Sequence, residues 1–240
     1  MKKRIGLIGL LLVAVMLFMC ACSGAQDTDT AATGNEKGTE QQQQEQHQKP
    51  NASTDDLTKG NRIVVCQNAE LTMEDVTISD VKATAASVQE LVDKYFNNKV
   101  AGDVNVVGTD GYQVTMSAKD FLAAKISLDA EGIAPVVWNE DLGGKGKVKN
   151  TDYVVTAEGE AIIFPAETIT GEALLDKLGL PKDATTYRFV ATDDFYLECN
   201  AEEMKTAELR VGLDGTINGS LPIKKAGGKI NDVLYIEIVK

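Results

Sequence analysis

Most of the chain alternates short apolar runs with polar turns, a pattern typical of a β-rich protein. Apolar side chains recur at every second position at Tyr112, Val114 and Met116, and a period of two predicts a strand with one buried face. Residues 170–178 instead place three leucines on one helical face, and residues 87–96 are their equivalent earlier in the chain. The pattern therefore predicts an α+β fold in which strands outnumber short helices.

Two copies of one segment organise this pattern. Residues 91–132 align with residues 174–215 at a constant offset of 83 positions without a gap, and eleven of the aligned pairs are identical. Self-similarity at a fixed period is the signature of repeated structural units. We therefore predict two tandem β-rich repeats, residues 61–150 and 151–240.

The boundary between the two repeats is defined only to within several residues. Residues 152–155 align with a strand at residues 63–65, near the start of the first repeat. They align equally well with the closing strand at residues 233–239. This segment therefore either begins the second repeat or ends the first.

Each repeat is predicted to begin with a hairpin. The strands of this hairpin are residues 63–65 and 71–73 in the first repeat, and residues 153–155 and 161–164 in the second. Short apolar runs separated by turn residues predict this motif. A helix, a further hairpin and a second short helix follow in each repeat.

The helix ends have local signals. Ser87 and Glu90 have the spacing of a capping box, in which a hydroxyl and a carboxylate satisfy free backbone amides at the helix start. Gly179 follows the helix of the second repeat, and glycine is typical of a helix end. Ser117 and Asn200 are residue types that begin helices, so the two second helices are predicted to start there.

The first residues of the chain resemble the signal of a bacterial lipoprotein. A basic start at residues 2–4 precedes an apolar stretch at residues 5–19, which is too short for a membrane-spanning helix. In that family a small residue precedes the cysteine that receives a diacylglycerol and a palmitate. Here Ala21 precedes Cys22, so the resemblance implies that Cys22 is lipidated.

The same resemblance implies that residues 1–21 are a signal peptide and that the mature protein is anchored at the extracytoplasmic face of the cell membrane. Cys20, which follows the bulky Met19, is the alternative acylation site. An ordinary cleaved signal peptide with incidental cysteines is the other interpretation. Residues 22–60 are mostly small or polar and cannot offset the entropy of ordering, so we predict a flexible, acylated stalk.

The net charge of the chain limits the kinds of partner that it can bind. The full chain has a formal net charge of −12 at pH 7, and residues 1–21 contain three basic residues and no acidic one, so their removal gives −15. Such a surface repels phosphate backbones, and we therefore do not expect nucleic-acid binding. The charge either serves solubility near the cell envelope or forms an acidic site for cationic partners.

Few residues are candidates for catalysis or metal binding. His47 is the sole histidine and lies in the predicted stalk, which excludes a Ser-His-Asp triad or a histidine-based zinc site in the folded part. Cys66 and Cys199 lie in apolar strand patterns, and each is either a small buried hydrophobe or one half of a disulfide formed outside the cytoplasm. Residues 214–219 match no EF-hand spacing and form either a solvated turn or a weak calcium site. We predict no catalytic residue and no metal site.

Two aromatic residues are candidates for recognition. Trp138 precedes a connection rich in glycine and lysine, and Tyr196 lies on the polar face of a predicted strand. Aromatic side chains anchor many interfaces. One interpretation is therefore a recognition patch formed by Trp138 and Tyr196, and the other is that Trp138 packs between the repeats.

The order of elements in each repeat resembles the molybdopterin-binding domain of the sulfite-oxidase-like oxidoreductases. The resemblance covers residues 161–240 and, more weakly, 88–138, and it is carried by segments 110–112, 171–179, 214–215, 221–223 and 236–239. It implies a sulfite-oxidase-like α+β fold. In that family a cysteine binds molybdenum, and basic and histidine side chains surround the cofactor.

This resemblance implies a fold more than a cofactor. Only Cys66 and Cys199 follow the anchor, and no histidine follows His47. We therefore expect no cofactor, with bound molybdopterin as the alternative. The expected function is that of a lipid-anchored, non-catalytic module that binds a protein or small-molecule partner, with ligands between the repeats. A molybdopterin-dependent redox protein and a structural spacer of the envelope are the alternatives.

Overall fold

The structure is a computed structural model that describes residues 60–222 and 228–239. These residues form seventeen strands and four short α-helices, which confirms the predicted α+β class with strands in the majority. The predicted signal peptide, Cys20, Cys22 and almost all of the predicted stalk lie outside the described residues. None of the helices in the described ranges is long and apolar enough to cross a membrane.

The strands and helices up to residue 156 are, in chain order, β1 (Asn61–Val65), β2 (Glu74–Ile78), β3 (Val81–Ser87), α1 (Val88–Tyr95), β4 (Val104–Gly108), β5 (Gln113–Met116), α2 (Ala118–Leu122), β6 (Lys125–Ser127), β7 (Val136–Trp138), β8 (Lys147–Lys149) and β9 (Thr151–Thr156). Those that follow are β10 (Ala161–Ile163), β11 (Ile169–Thr170), α3 (Gly171–Leu178), β12 (Thr186–Ala191), β13 (Tyr196–Cys199), α4 (Ala201–Thr206), β14 (Glu208–Val211), β15 (Ile217–Leu221), β16 (Gly228–Ile230) and β17 (Val233–Val239).

Three sheets contain all of these strands. The largest has eight strands in the order β13-β12-β17-β1-β10-β9-β4-β5, and the others follow the orders β11-β14-β15-β16 and β2-β3-β6-β7-β8. In the largest sheet β1 and β10 pair in parallel at the centre, with Ile63 opposite Ala161. All other neighbours in that sheet are antiparallel. The central sheet therefore joins strands from both predicted repeats.

Both faces of the central strands are buried, in two different cores. Ile163 of β10 packs in a core with Leu174 and Leu175 of α3. Its neighbour Ile162 packs in a second core with Leu91 of α1. Because successive side chains of a strand point to opposite faces, α1 and α3 cover opposite faces of the sheet.

The predicted hairpin at the start of the first repeat is wrong. Strand β1 pairs with β10 and β17, and residues 71–73 belong to no strand. The side chains of Ile63, Val64 and Val65 are fully buried, so this apolar segment needs a neighbour on each side. The hairpin predicted from residues 153–155 and 161–164 is confirmed as β9 and β10.

The positions of all four helices were predicted, but the cap predicted at one of them does not form. Ser87 makes no capping hydrogen bond at the start of α1, and Glu90 instead accepts hydrogen bonds from Thr72. The predicted capping box is therefore wrong at this helix. The hydroxyl of Ser117 and the side-chain oxygen of Asn200 do cap α2 and α4.

Several strand pairs in the two halves have the same register. The register of hairpin β4–β5 recurs in hairpin β12–β13, and that of β3–β6 recurs in β11–β14. At the constant offset of 83 positions, the corresponding opposed pairs are Val104/Met116 with Tyr187/Cys199, and Ala86/Ile126 with Ile169/Leu209. The pairing of β4 with β9 shifts between Val107 and Gly108, and that of β12 with β17 shifts between Val190 and Ala191.

Candidate functional site

A crevice of about 400 Å³ lies between the turn that follows β4 and helix α3. Its walls combine apolar and polar side chains in similar numbers. The lining residues are Thr109, Asp152, Tyr153, Ile163, Pro165, Ala166, Glu167, Ile169, Leu174 and Lys177. A concave, largely apolar site with few polar groups is the usual form of a small-molecule site.

Three segments of the chain converge at this crevice. Strand β9 supplies Asp152 and Tyr153, and Tyr153 lies opposite Ile163 of β10. Helix α3 supplies Leu174 and Lys177, which are three residues apart and therefore on one helical face. Leu174 is buried in the core, whereas Lys177 reaches the rim. The sheet and the helix thus hold the two sides of the crevice in place.

The polar geometry of the crevice centres on one ammonium group. The side-chain nitrogen Nζ of Lys177 lies 2.6 Å from the Oδ2 atom of Asp152. The same nitrogen lies 5.9 Å from the centroid of the Tyr153 ring, within the range of a cation–π contact. The Lys177 side chain remains 37% exposed and that of Asp152 22% exposed, so this ion pair contributes at most about 1 kcal/mol to stability.

A second hollow, of about 530 Å³, lies at the start of α4 and includes Asn200, Glu202 and Glu203 in its lining. The polar atoms of Asn200 and Glu203 are already used there: Asn200 accepts hydrogen bonds from the backbone N–H groups of Glu202 and Glu203. The Glu203 carboxylate accepts one from the N–H of Asn200. Because these groups cap the helix, the hollow is the weaker candidate.

The two cysteines do not form the disulfide that was one interpretation of the sequence. Both thiols are free and buried. Cys199 packs in the core beside α3 and Cys66 in the core beside α1. Burial raises the pKa of each thiol to about 12, so neither forms a thiolate near neutral pH. A molybdenum ligand must be a thiolate that the metal can reach, and these two cysteines do not fit that role.

The described part of the chain also contains no group of three or more His, Cys, Asp or Glu side chains placed to hold a metal ion. In the predicted acidic turn, Asp214 accepts hydrogen bonds from the backbone N–H and the hydroxyl of Thr216. These bonds, chiefly that from the hydroxyl, lower the pKa of Asp214. The carboxylate therefore stabilises its own turn.

Trp138 is not available for the predicted recognition patch. Its side chain is 5% exposed and packs with Ile78, Ala85 and Val136 in a small third core. The hairpin of β2 and β3 contributes to this core, and no pattern in the sequence predicted that it would cover Trp138. Tyr196 is half-buried on β13, where the Arg188 guanidinium lies 5.0 Å from its ring centroid. Trp138 and Tyr196 belong to different sheets and form no common patch.

Sequence reasoning missed the residues of the crevice. Asp152 and Lys177 are 25 positions apart, and only the folding of α3 beside β9 brings them together. The one available signal was that Lys177 aligns with an identical residue, Lys94, at the offset of 83. A scan against protein-family models found no match, and searches of the curated proteins and of the solved structures found no significant match.

Proposed function

We propose that the protein is a non-catalytic binding module, anchored through lipidated Cys22 at the extracytoplasmic face of the cell membrane. Its binding site is the crevice beside Tyr153. The observation that carries this proposal is the convergence of an aromatic ring, an apolar wall and an ion pair in one concave site. The lipoprotein-like residues before Cys22 support the location.

We also propose that two tandem copies of one unit build the folded part, each with the sulfite-oxidase-like fold that the sequence resemblance implies. The shared registers at the offset of 83 support duplication. One equivalent pair keeps its contact while changing its chemistry. The Thr115 hydroxyl donates to Asn105 at 2.8 Å, and at the matching positions Arg188 donates to Glu198 at 2.8 Å.

The strand pairings favour a boundary between the copies after β9. Strand β9 pairs with β4 as β17 pairs with β12, and both pairings shift at equivalent positions. Strand β9 is then the end of the first copy, and β10 begins the second. Between Thr156 and Ala161 the chain makes a short turn, and the proposed boundary falls there rather than at residue 150.

Fragment binding to the full-length protein in detergent tests the crevice proposal. We expect a library of neutral, cationic and anionic fragments to give hits that shift the backbone amide NMR signals of Thr109, Tyr153 and Lys177. Ala166→Trp is the blocking variant: it puts a large ring at an exposed position of the crevice lining and should abolish those shifts. Hits that cluster elsewhere, or that persist in Ala166→Trp, would overturn the proposal.

A further inference from the structure

We propose that the crevice binds an alkylammonium ligand, whose cationic head takes the place now held by the ammonium of Lys177. The proposal rests on the proposed function, in that the crevice is the binding site. The Lys177 side chain acts as an internal substitute for the ligand when the site is free.

The crevice already holds a primary ammonium, that of Lys177. The Lys177 nitrogen donates a hydrogen bond of 2.7 Å to the Asp152 carboxylate. It also lies 5.9 Å from the centroid of the Tyr153 ring. A carboxylate and an aromatic face both attract an ammonium group. A ligand that presents the same group meets the same two partners.

The Lys177 side chain can move away from Asp152 at little cost in free energy. Its side chain is 37% exposed, and its flexible four-carbon stem can extend into solvent, where the ammonium is strongly hydrated. An ion pair as exposed as that of Lys177 with Asp152 has a small net free energy. The ligand therefore displaces a side chain that is weakly held.

The apolar residues of the crevice suit the alkyl chain of such a ligand. Pro165, Ala166 and Ile169 line the crevice with partly exposed apolar surface, and its volume of about 400 Å³ suits a small ligand. The exposed carboxylate of Glu167 also lies at the rim. With Lys177 turned away, the two carboxylates attract a cation, and the net charge of −15 that remains without residues 1–21 repels an anion.

The equivalent place in the other half of the sheet lacks these features. Tyr235 pairs with β12 as Tyr153 pairs with β4, but Leu234 occupies the place of Asp152. The ring of Tyr235 is covered by the Arg62 guanidinium, 4.2 Å from its centroid. Tyr235 therefore serves as a matched control for Tyr153.

The test titrates the full-length protein in detergent with n-butylammonium chloride and, separately, with sodium butyrate, followed by amide NMR. We expect n-butylammonium to shift the signals of Tyr153 and Lys177, and butyrate to leave them unchanged. Asp152→Asn and Tyr153→Leu should each weaken n-butylammonium binding by roughly twofold to fivefold. Tyr235→Leu and the exposed-site control Asp75→Asn should leave the affinity unchanged.

Lys177→Met tests the internal-substitute idea, and Lys182→Met, which removes the same charge outside the crevice lining, is the control for loss of charge alone. The Lys177→Met variant keeps an unbranched apolar stem without the ammonium, so it should tighten n-butylammonium binding by roughly twofold to fivefold. Weaker binding in Lys177→Met would overturn the substitution model. Butyrate binding in place of n-butylammonium would overturn the ammonium proposal and leave the crevice as a binding site. The absence of both, together with no fragment hits in the crevice, would overturn the proposed function as well.

Discussion

The carboxylate of Glu160 accepts a hydrogen bond of 2.8 Å from the backbone N–H of Asn98. It also accepts hydrogen bonds from the backbone N–H groups of Arg62 and Asn97 and from the side-chain amide of Asn98. Glu160 is fully buried. This single side chain therefore ties the turn between β9 and β10 to the start of β1 and to the segment that follows α1.

Glu160→Gln should destabilise the fold because an amide cannot accept all of these hydrogen bonds and brings two donors of its own. We expect a loss of about 2 kcal/mol in the free energy of unfolding, measured by urea titration at neutral pH. The matched control is Glu131→Gln at an exposed position, which should leave stability almost unchanged. Equal stability of the two variants would contradict the role given to Glu160.

The effect of this substitution should depend on pH. Burial raises the pKa of Glu160 above its ordinary value of 4.5, although its hydrogen-bond donors act in the opposite direction. The folded state therefore keeps the proton at pH values where the unfolded chain has released it. The stability that this group contributes is complete below pH 4.5 and declines as pH rises through the raised pKa. The destabilisation caused by Glu160→Gln should be larger near pH 4 than near pH 7, and a difference that grows with pH would count against this.

Cys66 and Cys199 should be free and unreactive in the folded protein. Both pKa values are raised to about 12 by burial, so the thiolate that reacts with iodoacetamide is almost absent at about pH 8. Mass spectrometry should find both residues unmodified after native treatment and both alkylated after treatment in guanidinium chloride. A mass two hydrogens lower under non-reducing conditions would reveal a disulfide instead.

Leu91→Ala and Leu174→Ala should destabilise the protein to a similar extent. These residues align at the offset of 83, and both are buried, one on each face of the central sheet. Each substitution should cost about 2–5 kcal/mol, measured by thermal or urea unfolding. Because β1 and β10 join the two halves in one sheet, both variants should lower a single transition. Two separate transitions, each sensitive to only one variant, would contradict a shared sheet.

Cys22→Ala should prevent lipidation. The small residue Ala21 before Cys22 matches the lipoprotein signal, so incorporation of radiolabelled palmitate should be lost in Cys22→Ala. Cys20→Ala should retain the label, since Cys20 follows the bulky Met19. Loss of the label in Cys20→Ala alone would move the acylation site to Cys20.

The fold was predictable where its signals are local. The turn and the alternation at Tyr112, Val114 and Met116 lie within a few residues of each other, and the hairpin of β4 and β5 forms there. The partners of β1 are not local: Ile63 lies opposite Ala161 and Ile236. No pattern around residue 63 reveals such distant neighbours, and the predicted pairing with residues 71–73 was therefore wrong.

The candidate site was harder to predict than the fold. Tyr153 and Lys177 are ordinary strand and helix residues in the sequence, and their contact depends on how α3 lies on the sheet. Trp138 was predicted as a recognition residue because it is aromatic and precedes a loop, but the structure buries it in a core. The residue type alone does not show whether Trp138 lies at the surface or in a core, because its burial depends on the packing of the hairpin of β2 and β3.

The measurement that tests the binding proposal most directly is a crystal structure of the protein purified from its native cells without added ligand. We predict an open crevice that contains electron density for a non-protein molecule, in contact with the Tyr153 ring and the Asp152 carboxylate. Ligand density at another site alone, with the Lys177 ammonium still on the Asp152 carboxylate, would contradict the account.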